Sequence, residues 1–168
     1  MNRKRLENIA KSGLLSAFAI AVSLLESLVP SSSLLPPGMK VGFSNVATMI
    51  AAKNVSFTSA FAVTVVKSLF VLITRGVTAF LLSLAGGLCS TAAVVLIFRS
   101  RKGRFGCIGA GVVGAACHNA AQVAVYSVIV GGAIFWYLPY LLVFGTFCGV
   151  LTGAVLYLAE KALNKKDK

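Results

Sequence analysis

The sequence predicts an all-α integral membrane protein, a bundle of six helices with both termini in the cytoplasm. Of its 168 residues, 58% are hydrophobic and 12% are charged, whereas water-soluble proteins carry about 25% charged residues. A helix that crosses a bilayer needs about 20 apolar residues, so six of them leave only short loops and tails. We therefore expect a single transmembrane domain over residues 1–168.

The helices are predicted from apolar runs and from the residues that interrupt them. The first run follows a basic N-terminal segment, and residues 30–38 then contain three prolines, which predicts a loop. Residues 39–74 are almost continuously apolar, but Lys53 and Asn54 divide them into a short helix and a full one. The predicted helices cover residues 13–29, 41–52, 57–74, 77–98, 107–130 and 138–159.

The basic residues determine the predicted topology. Thirteen of the sixteen Lys and Arg lie in four places: four near the N-terminus, one at Lys53, four in residues 99–104 and four in the C-terminal tail. Cytoplasmic loops carry an excess of Lys and Arg, so these places should share the cytoplasmic side. An even number of crossings must then separate each pair, which favours two helices in residues 41–74. Trp136, Tyr137 and Tyr140 are expected at the outer interface.

The composition excludes several kinds of chemistry. The chain has only four acidic residues, so it lacks the clustered aspartates with which prenyl diphosphate-condensing enzymes hold magnesium. It also lacks a G-x-x-x-x-G-K-[ST] phosphate loop. We expect no enzyme activity from this chain alone and no cofactor, and an ATP-driven step would require a partner. The basic residues are not interleaved with aromatic ones in a soluble stretch, so no nucleic-acid partner is expected.

Two further patterns are assigned to packing. Residues 109–114 match G-x-G-x-x-G, but no strand precedes them and no acidic residue follows at the required distance. Gly145, Gly149 and Gly153 recur at every fourth position, which lets the backbones of membrane helices approach closely. The four cysteines lie in apolar runs without C-x-x-C spacing and are interpreted as packing residues rather than disulfides or metal ligands.

The helix predicted over residues 107–130 carries polar side chains at mid-membrane depth. His118, Asn119 and Gln122 occupy about two turns, where unpaired polar groups are costly. They would face a ligand or make hydrogen bonds between helices. The sequence leaves both interpretations open.

Lys67 lies about ten residues into its helix, or roughly 15 Å from the membrane edge. An ammonium group at that depth costs about 2.5–3.5 kcal/mol and needs an anion, unless the side chain reaches outward to the interface. The anion would be Glu26 or a bound ligand. We predict a cavity for a small anionic molecule in the outer half of the bundle, in which Glu26 holds Lys67 when no ligand is bound. The predicted ligand-binding residues are Lys67, His118, Asn119, Gln122, Asn45, Lys40 and Glu26.

Three motifs resemble a known family. Residues 37–42 (PGMKVG) followed by 44–45 (SN), then 82–87 (LSLAGG), then 116–122 (ACHNAAQ), in this order and spacing, resemble the bacterial membrane family labelled heptaprenyl diphosphate synthase component I, also called the Gx transporter family. The resemblance covers nearly the whole chain. It implies a multi-pass protein of the bacterial cytoplasmic membrane.

The resemblance also implies function. The family is similar to the substrate-binding S components of energy-coupling factor (ECF) transporters, which capture a small molecule near the outer surface and dock on a coupling subunit and two ATPases through small residues of their first helix. Ala17 and Ala21 match that spacing. Family members are also encoded near flavin-transfer and quinone-synthesis proteins. The expected function is therefore a transport-type binding subunit, with an accessory role in prenyl diphosphate, quinone or flavin-based electron-transfer metabolism as the alternative.

Overall fold

The computed structural model describes residues 3–28, 42–100 and 106–164, and it is all-helical over them. This part of the chain contains five α-helices and one short 3-10 helix, η1. Four helical segments are long and apolar enough to cross a membrane, in agreement with the predicted all-α membrane class. In chain order, the elements are α1 (Arg3–Leu28), α2 (Asn45–Asn54), α3 (Phe57–Arg99), α4 (Cys107–Val130), η1 (Gly132–Tyr137) and α5 (Leu138–Asn164).

The described residues form five α-helices and not the six that were predicted. The segments predicted as separate helices over residues 57–74 and 77–98 belong to one element, α3. The backbone leaves helical geometry at the point at which the sequence suggested a loop, because Gly76 adopts φ +84° and ψ −178° there. Positive φ is accessible to glycine at little cost, so the chain changes direction at one residue and needs no separate loop.

Gly76 turns α3 back on itself, and the two arms lie side by side. The Thr64 and Thr91 hydroxyl oxygens are 2.7 Å apart, and those of Ser68 and Ser83 are 3.3 Å apart. These pairs straddle Gly76, as expected for an antiparallel hairpin. At 1.5 Å per residue the arms are about 28 Å and 35 Å long, so each is long enough to cross the hydrocarbon core.

The other helices differ from their predicted bounds mainly at the ends. The first helix begins at Arg3, ten residues before the predicted start, and its exposed first turns include an ion pair of 2.7 Å between Lys11 and Glu7. The second begins at Asn45, because the residue that starts the preceding turn, Gly42, has φ +87°. The helix α4 covers the predicted residues 107–130, and α5 extends beyond residue 159.

Several basic residues meet at one end of the bundle, which we call the basic end. The ammonium Nζ of Lys53 lies 2.7 Å from Glu160 Oε2 and 3.2 Å from Cys107 Sγ, and Arg99 lies over the ring of Phe57. The ends of α2, α3 and α5 are therefore brought together with the starts of α3 and α4. Burial opposes the charge of Lys53, but its hydrogen bonds to Glu160 and Cys107 raise its pKa above the usual value.

The N-terminus of α1 lies at the basic end as well. Glu26, in the last turn of α1, accepts a hydrogen bond from the backbone N–H of Phe43, just before α2. The start of α2 lies about 15 Å from the basic end, and α1 runs from there back toward that end, so its basic first turn lies on the side of the basic end. Trp136, Tyr137 and Tyr140 are exposed at the opposite end. Other parts of the charge and loop predictions lie outside the described residues, namely 30–38, 101–104 and 165–168.

The helices α4 and α5 are in backbone contact along a line of glycines. A Cβ atom added to Gly149 would lie 2.7 Å from the carbonyl oxygen of Gly111 and 2.7 Å from Val112 Cα, and one added to Gly153 would lie 2.7 Å from the Cys107 carbonyl oxygen. Real Cβ atoms essentially never approach backbone atoms so closely. This confirms the predicted packing role of Gly149 and Gly153.

The apolar core is made mostly of small side chains toward the basic end. Its fully buried members include Ala47, Val63, Val94, Ala110 and Leu156. The four cysteines are free. The buried side chains of Lys67, His118 and Gln122 lie in the other half of the bundle, around the start of α2.

Candidate ligand-binding site

Lys67 lies inside the bundle on the first arm of α3, with 3% of its surface exposed. Its ammonium Nζ donates to Asn45 Oδ1 at 2.6 Å and to the hydroxyl of Ser44 at 3.4 Å. The start of α2 therefore supplies oxygen atoms to this buried cation. Lys67 does not reach outward to an interface, so that interpretation of the sequence is wrong.

Lys67 lines a crevice between the helices with a cavity volume of about 20 Å³; we call it the Lys67 crevice. It brings together five of the seven residues predicted to bind a ligand, contributed by α1, α2, the first arm of α3 and α4. It is lined by Ser23, Glu26, Gly42, Ser44, Asn45, Lys67, Val71, Arg75, Ala79, Ser83, His118 and Gln122.

His118 and Gln122 form the α4 wall of the Lys67 crevice. They are four residues apart and so share one face of the helix, with 7% and 3% of their surfaces exposed. Within the described part of the chain, His118 Nδ1 and Gln122 Oε1 are buried and have no hydrogen-bond partner. Gly86 makes room for both, because a Cβ atom there would lie 2.9 Å from His118 Cε1 and from Gln122 Cγ.

Asn119 lines a neighbouring crevice between α2, α4 and α5, with a cavity volume of about 20 Å³. The two crevices share Gly42, Asn45 and His118. The Asn119 amide donates to the carbonyl oxygen of Leu141 at 2.7 Å, which links α4 to α5. Asn119 therefore makes the interhelical hydrogen bond that was one of the two interpretations of this polar cluster.

Glu26 does not form the predicted ion pair with Lys67. The ion pairs in the described residues are Lys11–Glu7 and Lys53–Glu160. One carboxylate oxygen of Glu26 instead accepts from the N–H of Phe43, a group outside helical hydrogen bonding, while Asn45 and Ser44 accept from Lys67. The other oxygen, Oε2, is buried and has no hydrogen-bond partner among the described residues.

Among the predicted residues, Lys40 lies outside the described part of the chain. Ser44 and Arg75 also line the crevice. Arg75 follows Lys67 at a spacing of eight residues, with Val71 between them at four, so the three form one stripe along the first arm of α3. That spacing was present in the sequence. With Lys67 and Arg75 as cations and Glu26 as an anion, the crevice carries a formal charge of +1 when His118 is neutral.

The residues predicted to dock a partner, Ala17 and Ala21, are exposed on α1. Ser16, Ala19 and Ser23 on the same helix are buried. The two alanines therefore lie on the side of α1 that faces away from the bundle.

These features define a polytopic α-helical membrane protein with a polar, cationic crevice between its helices. The chain belongs to the family described as heptaprenyl diphosphate synthase component I, whose family model matches residues 15–158. This confirms the resemblance based on the sequence motifs. No curated protein and no solved structure matches the chain.

Proposed function

We propose that the protein is the substrate-binding subunit of a membrane transport system and holds a small anionic molecule in the Lys67 crevice. The supporting observation is a pair of buried oxygen atoms, Glu26 Oε2 and Gln122 Oε1, that have no hydrogen-bond partner among the described residues and belong to residues lining one cationic crevice. Each unsatisfied buried group costs about 1–3 kcal/mol, and the hydrocarbon core offers no water to satisfy it. A bound molecule that pairs with both would recover this energy.

The proposal places the protein in the bacterial cytoplasmic membrane with the basic end in the cytoplasm. The excess of Lys and Arg in cytoplasmic loops supports that orientation. Both termini are then cytoplasmic, and the Lys67 crevice opens toward the outer half of the bundle. When the two arms of α3 are counted separately and the short α2 is included, six helical segments follow one another in alternating directions.

The partner in this proposal is an ECF module, made of a transmembrane coupling subunit and ATPases. Ala17 and Ala21 are exposed and separated by one helical turn, an arrangement that allows another helix to approach closely. Ala17→Trp should therefore reduce co-purification of the ATPases by at least about tenfold, while the variant remains folded. Phe18→Trp on the same helix is the control, because residue 18 already carries a large exposed side chain. Equal recovery of the ATPases with Ala17→Trp would contradict docking at this face.

The second candidate function follows from the family description, which denotes one component of a synthase. In that case the chain would accompany a separate catalytic component of prenyl diphosphate or quinone metabolism, or a flavoprotein of electron transfer. Affinity purification from native membranes separates the two candidates. Recovery of a synthase or flavoprotein without an ATPase would favour the accessory role.

Lys67→Met tests the binding site directly. Mass spectrometry of small molecules released from the purified protein should detect an anionic compound with the wild type and at least tenfold less of it with Lys67→Met. Lys11→Met is the matched control, because Lys11 is exposed and remote from the crevice. Elution volume and thermal unfolding establish that each variant is folded. No retained compound in the wild type, or equal retention in Lys67→Met, would contradict the binding function.

A further inference from the structure

We infer that the molecule held in the Lys67 crevice is an acid that also donates a hydrogen bond to Glu26. This inference rests on the proposed binding function and narrows its substrate class. The class comprises small acids that also carry an N–H or O–H donor, in a hydroxyl group, an amide group or an imide-bearing heterocycle. Anions that have no donor, including a fully ionised prenyl diphosphate, are disfavoured.

The requirement for a donor comes from Glu26 Oε2. The Glu26 side chain is held by the N–H of Phe43 through Oε1, and Glu26 lines the Lys67 crevice. Its other oxygen, Oε2, is buried and has no hydrogen-bond partner in the part of the chain that the structure describes. An ionised carboxylate can only accept hydrogen bonds. A molecule that contacts the buried oxygen must therefore present a donor to it or leave that oxygen without a hydrogen bond.

The α4 wall does not impose a similar requirement. A glutamine amide carries both a donor and an acceptor, and a neutral imidazole carries one of each. His118 and Gln122 can therefore adapt to either kind of group. By contrast, Lys67 and Arg75 can only donate. The fixed groups of the crevice are thus two cationic donors and one anionic acceptor.

An anion without donors fits this arrangement poorly. Its charge would be attracted by Lys67 and Arg75 but repelled by the carboxylate of Glu26, and interior charges interact strongly because the effective dielectric constant is low. A donor on the molecule replaces that repulsion with a charge-assisted hydrogen bond, which is about twice as strong as a neutral one. The same residue therefore discriminates against one class of acid and favours the other.

Glu26→Gln tests the inference because it keeps an oxygen for the Phe43 N–H and removes the negative charge. We expect the variant to retain at least about tenfold less of the compound that the wild type releases, since a hydrogen bond to a charged group is lost. Glu7→Gln is the matched control on the same helix, because Glu7 is exposed near the basic end. Elution volume and thermal unfolding again report the fold.

A second measurement does not depend on any variant. Exchange of the released wild-type compound into deuterated solvent, followed by mass spectrometry, counts its N–H and O–H hydrogens. At least one exchangeable hydrogen outside its acid groups is expected. A compound with none, such as a prenyl diphosphate, would overturn the inference.

The outcomes for Lys67 and Glu26 separate the two proposals. Suppose that Lys67→Met loses the compound but Glu26→Gln retains as much or more of it. Glu26 then receives no hydrogen bond from the compound, because water pairs with Glu26 or because its charge repels the compound, and only the present inference fails. If the wild type retains nothing, or Lys67→Met retains as much as the wild type, the binding function fails and the inference fails with it. Loss in both variants, with Lys11→Met and Glu7→Gln unchanged, supports both.

Discussion

At the scale of single residues, Asn45 determines how the buried cation is held. Its Oδ1 atom accepts from Lys67 at 2.6 Å, and the residue lines both crevices. It thus connects the start of α2 to the first arm of α3. Since a hydrogen bond to a charged group contributes more than a neutral one, Asn45 should matter for stability as well as for binding.

Two substitutions of Asn45 separate these roles. Asn45→Ala removes the acceptor and should lower the free energy of unfolding by about 1.5–3 kcal/mol, measured by denaturant unfolding in detergent. Asn45→Asp keeps the acceptor and adds a negative charge beside Lys67, so it should remain folded but lose the anionic compound. Asn54→Ala, at the exposed end of the same helix, is the control. An unchanged unfolding free energy for Asn45→Ala would show that this hydrogen bond is not important.

The sequence predicted residues of the site but not their hydrogen-bond partners. Lys67, His118 and Gln122 are recognisable because polar side chains at mid-helix in an apolar chain are costly. The partner of Glu26 is not recognisable, because the N–H of Phe43 becomes available only through the path of the backbone before α2. The hydrogen bond from Asn119 likewise depends on the position at which the Leu141 carbonyl of α5 faces α4.

At the scale of helices, the contact between α4 and α5 depends on missing side chains. Gly149 approaches the backbone of Gly111 and Val112, and no rotation of a side chain can relieve a clash with backbone atoms. The spacing of Gly145, Gly149 and Gly153 was visible in the sequence, but its partner helix was not. A periodic stripe indicates that a helix packs closely on something, and only the structure shows that α4 is its neighbour.

Gly149→Ala should separate the two helices or prevent folding. The added Cβ would lie 2.7 Å from two backbone atoms, and overpacking of this kind typically costs about 1–3 kcal/mol or more. Gly13→Ala is the contrasting variant, because a Cβ there meets nothing within 4 Å and alanine favours a helix over glycine by up to about 1 kcal/mol. Thermal unfolding in detergent should rank Gly13→Ala at or above the wild type and Gly149→Ala well below it. Equal stability of the two variants would contradict the glycine contact.

The helix count illustrates the limit of sequence patterns at this scale. The bounds of α4 follow from an apolar run between Gly106 and Gly131, and both ends were predicted. The turn at Gly76 was placed correctly as an interruption, but its geometry was not, because one glycine with positive φ reverses the chain without a loop. Length and hydropathy report how much apolar chain exists and do not report how it turns.

At the scale of the whole molecule, the basic end gives the bundle a direction. The first turn of α1, Lys53, Arg99 and Lys161 lie at this end, as the grouping of basic residues in the sequence indicated. The all-α class and the grouping of basic residues at one end could be predicted from the sequence, because charge and hydropathy act over whole segments. The ligand could not, since its identity depends on the shape of one crevice.

The direction of the bundle in the membrane is tested by cysteine labelling. On a background without the four native cysteines, Trp136→Cys should react with a membrane-impermeant maleimide in intact cells, because residue 136 is exposed at the end opposite the basic end. Ser100→Cys, exposed near the basic end, should react only after the membrane is permeabilised. Labelling of position 100 in intact cells would contradict cytoplasmic termini.

The shortness of α2 has an electrical consequence. Its ten residues extend about 15 Å, about half of the hydrocarbon core, so Asn45 and the Lys67 ammonium lie near the middle of the membrane when Lys53 lies at its edge. Moving a unit charge across the full thickness of the membrane changes its energy by about 2.3 kcal/mol per 100 mV. Moving it across half the thickness therefore changes its energy by about half of that. With the basic end cytoplasmic, as proposed, an anion that enters from outside moves against an inside-negative potential. Each 100 mV then lowers its affinity for the crevice by roughly fivefold to tenfold, so the site fills more readily when the membrane is depolarised.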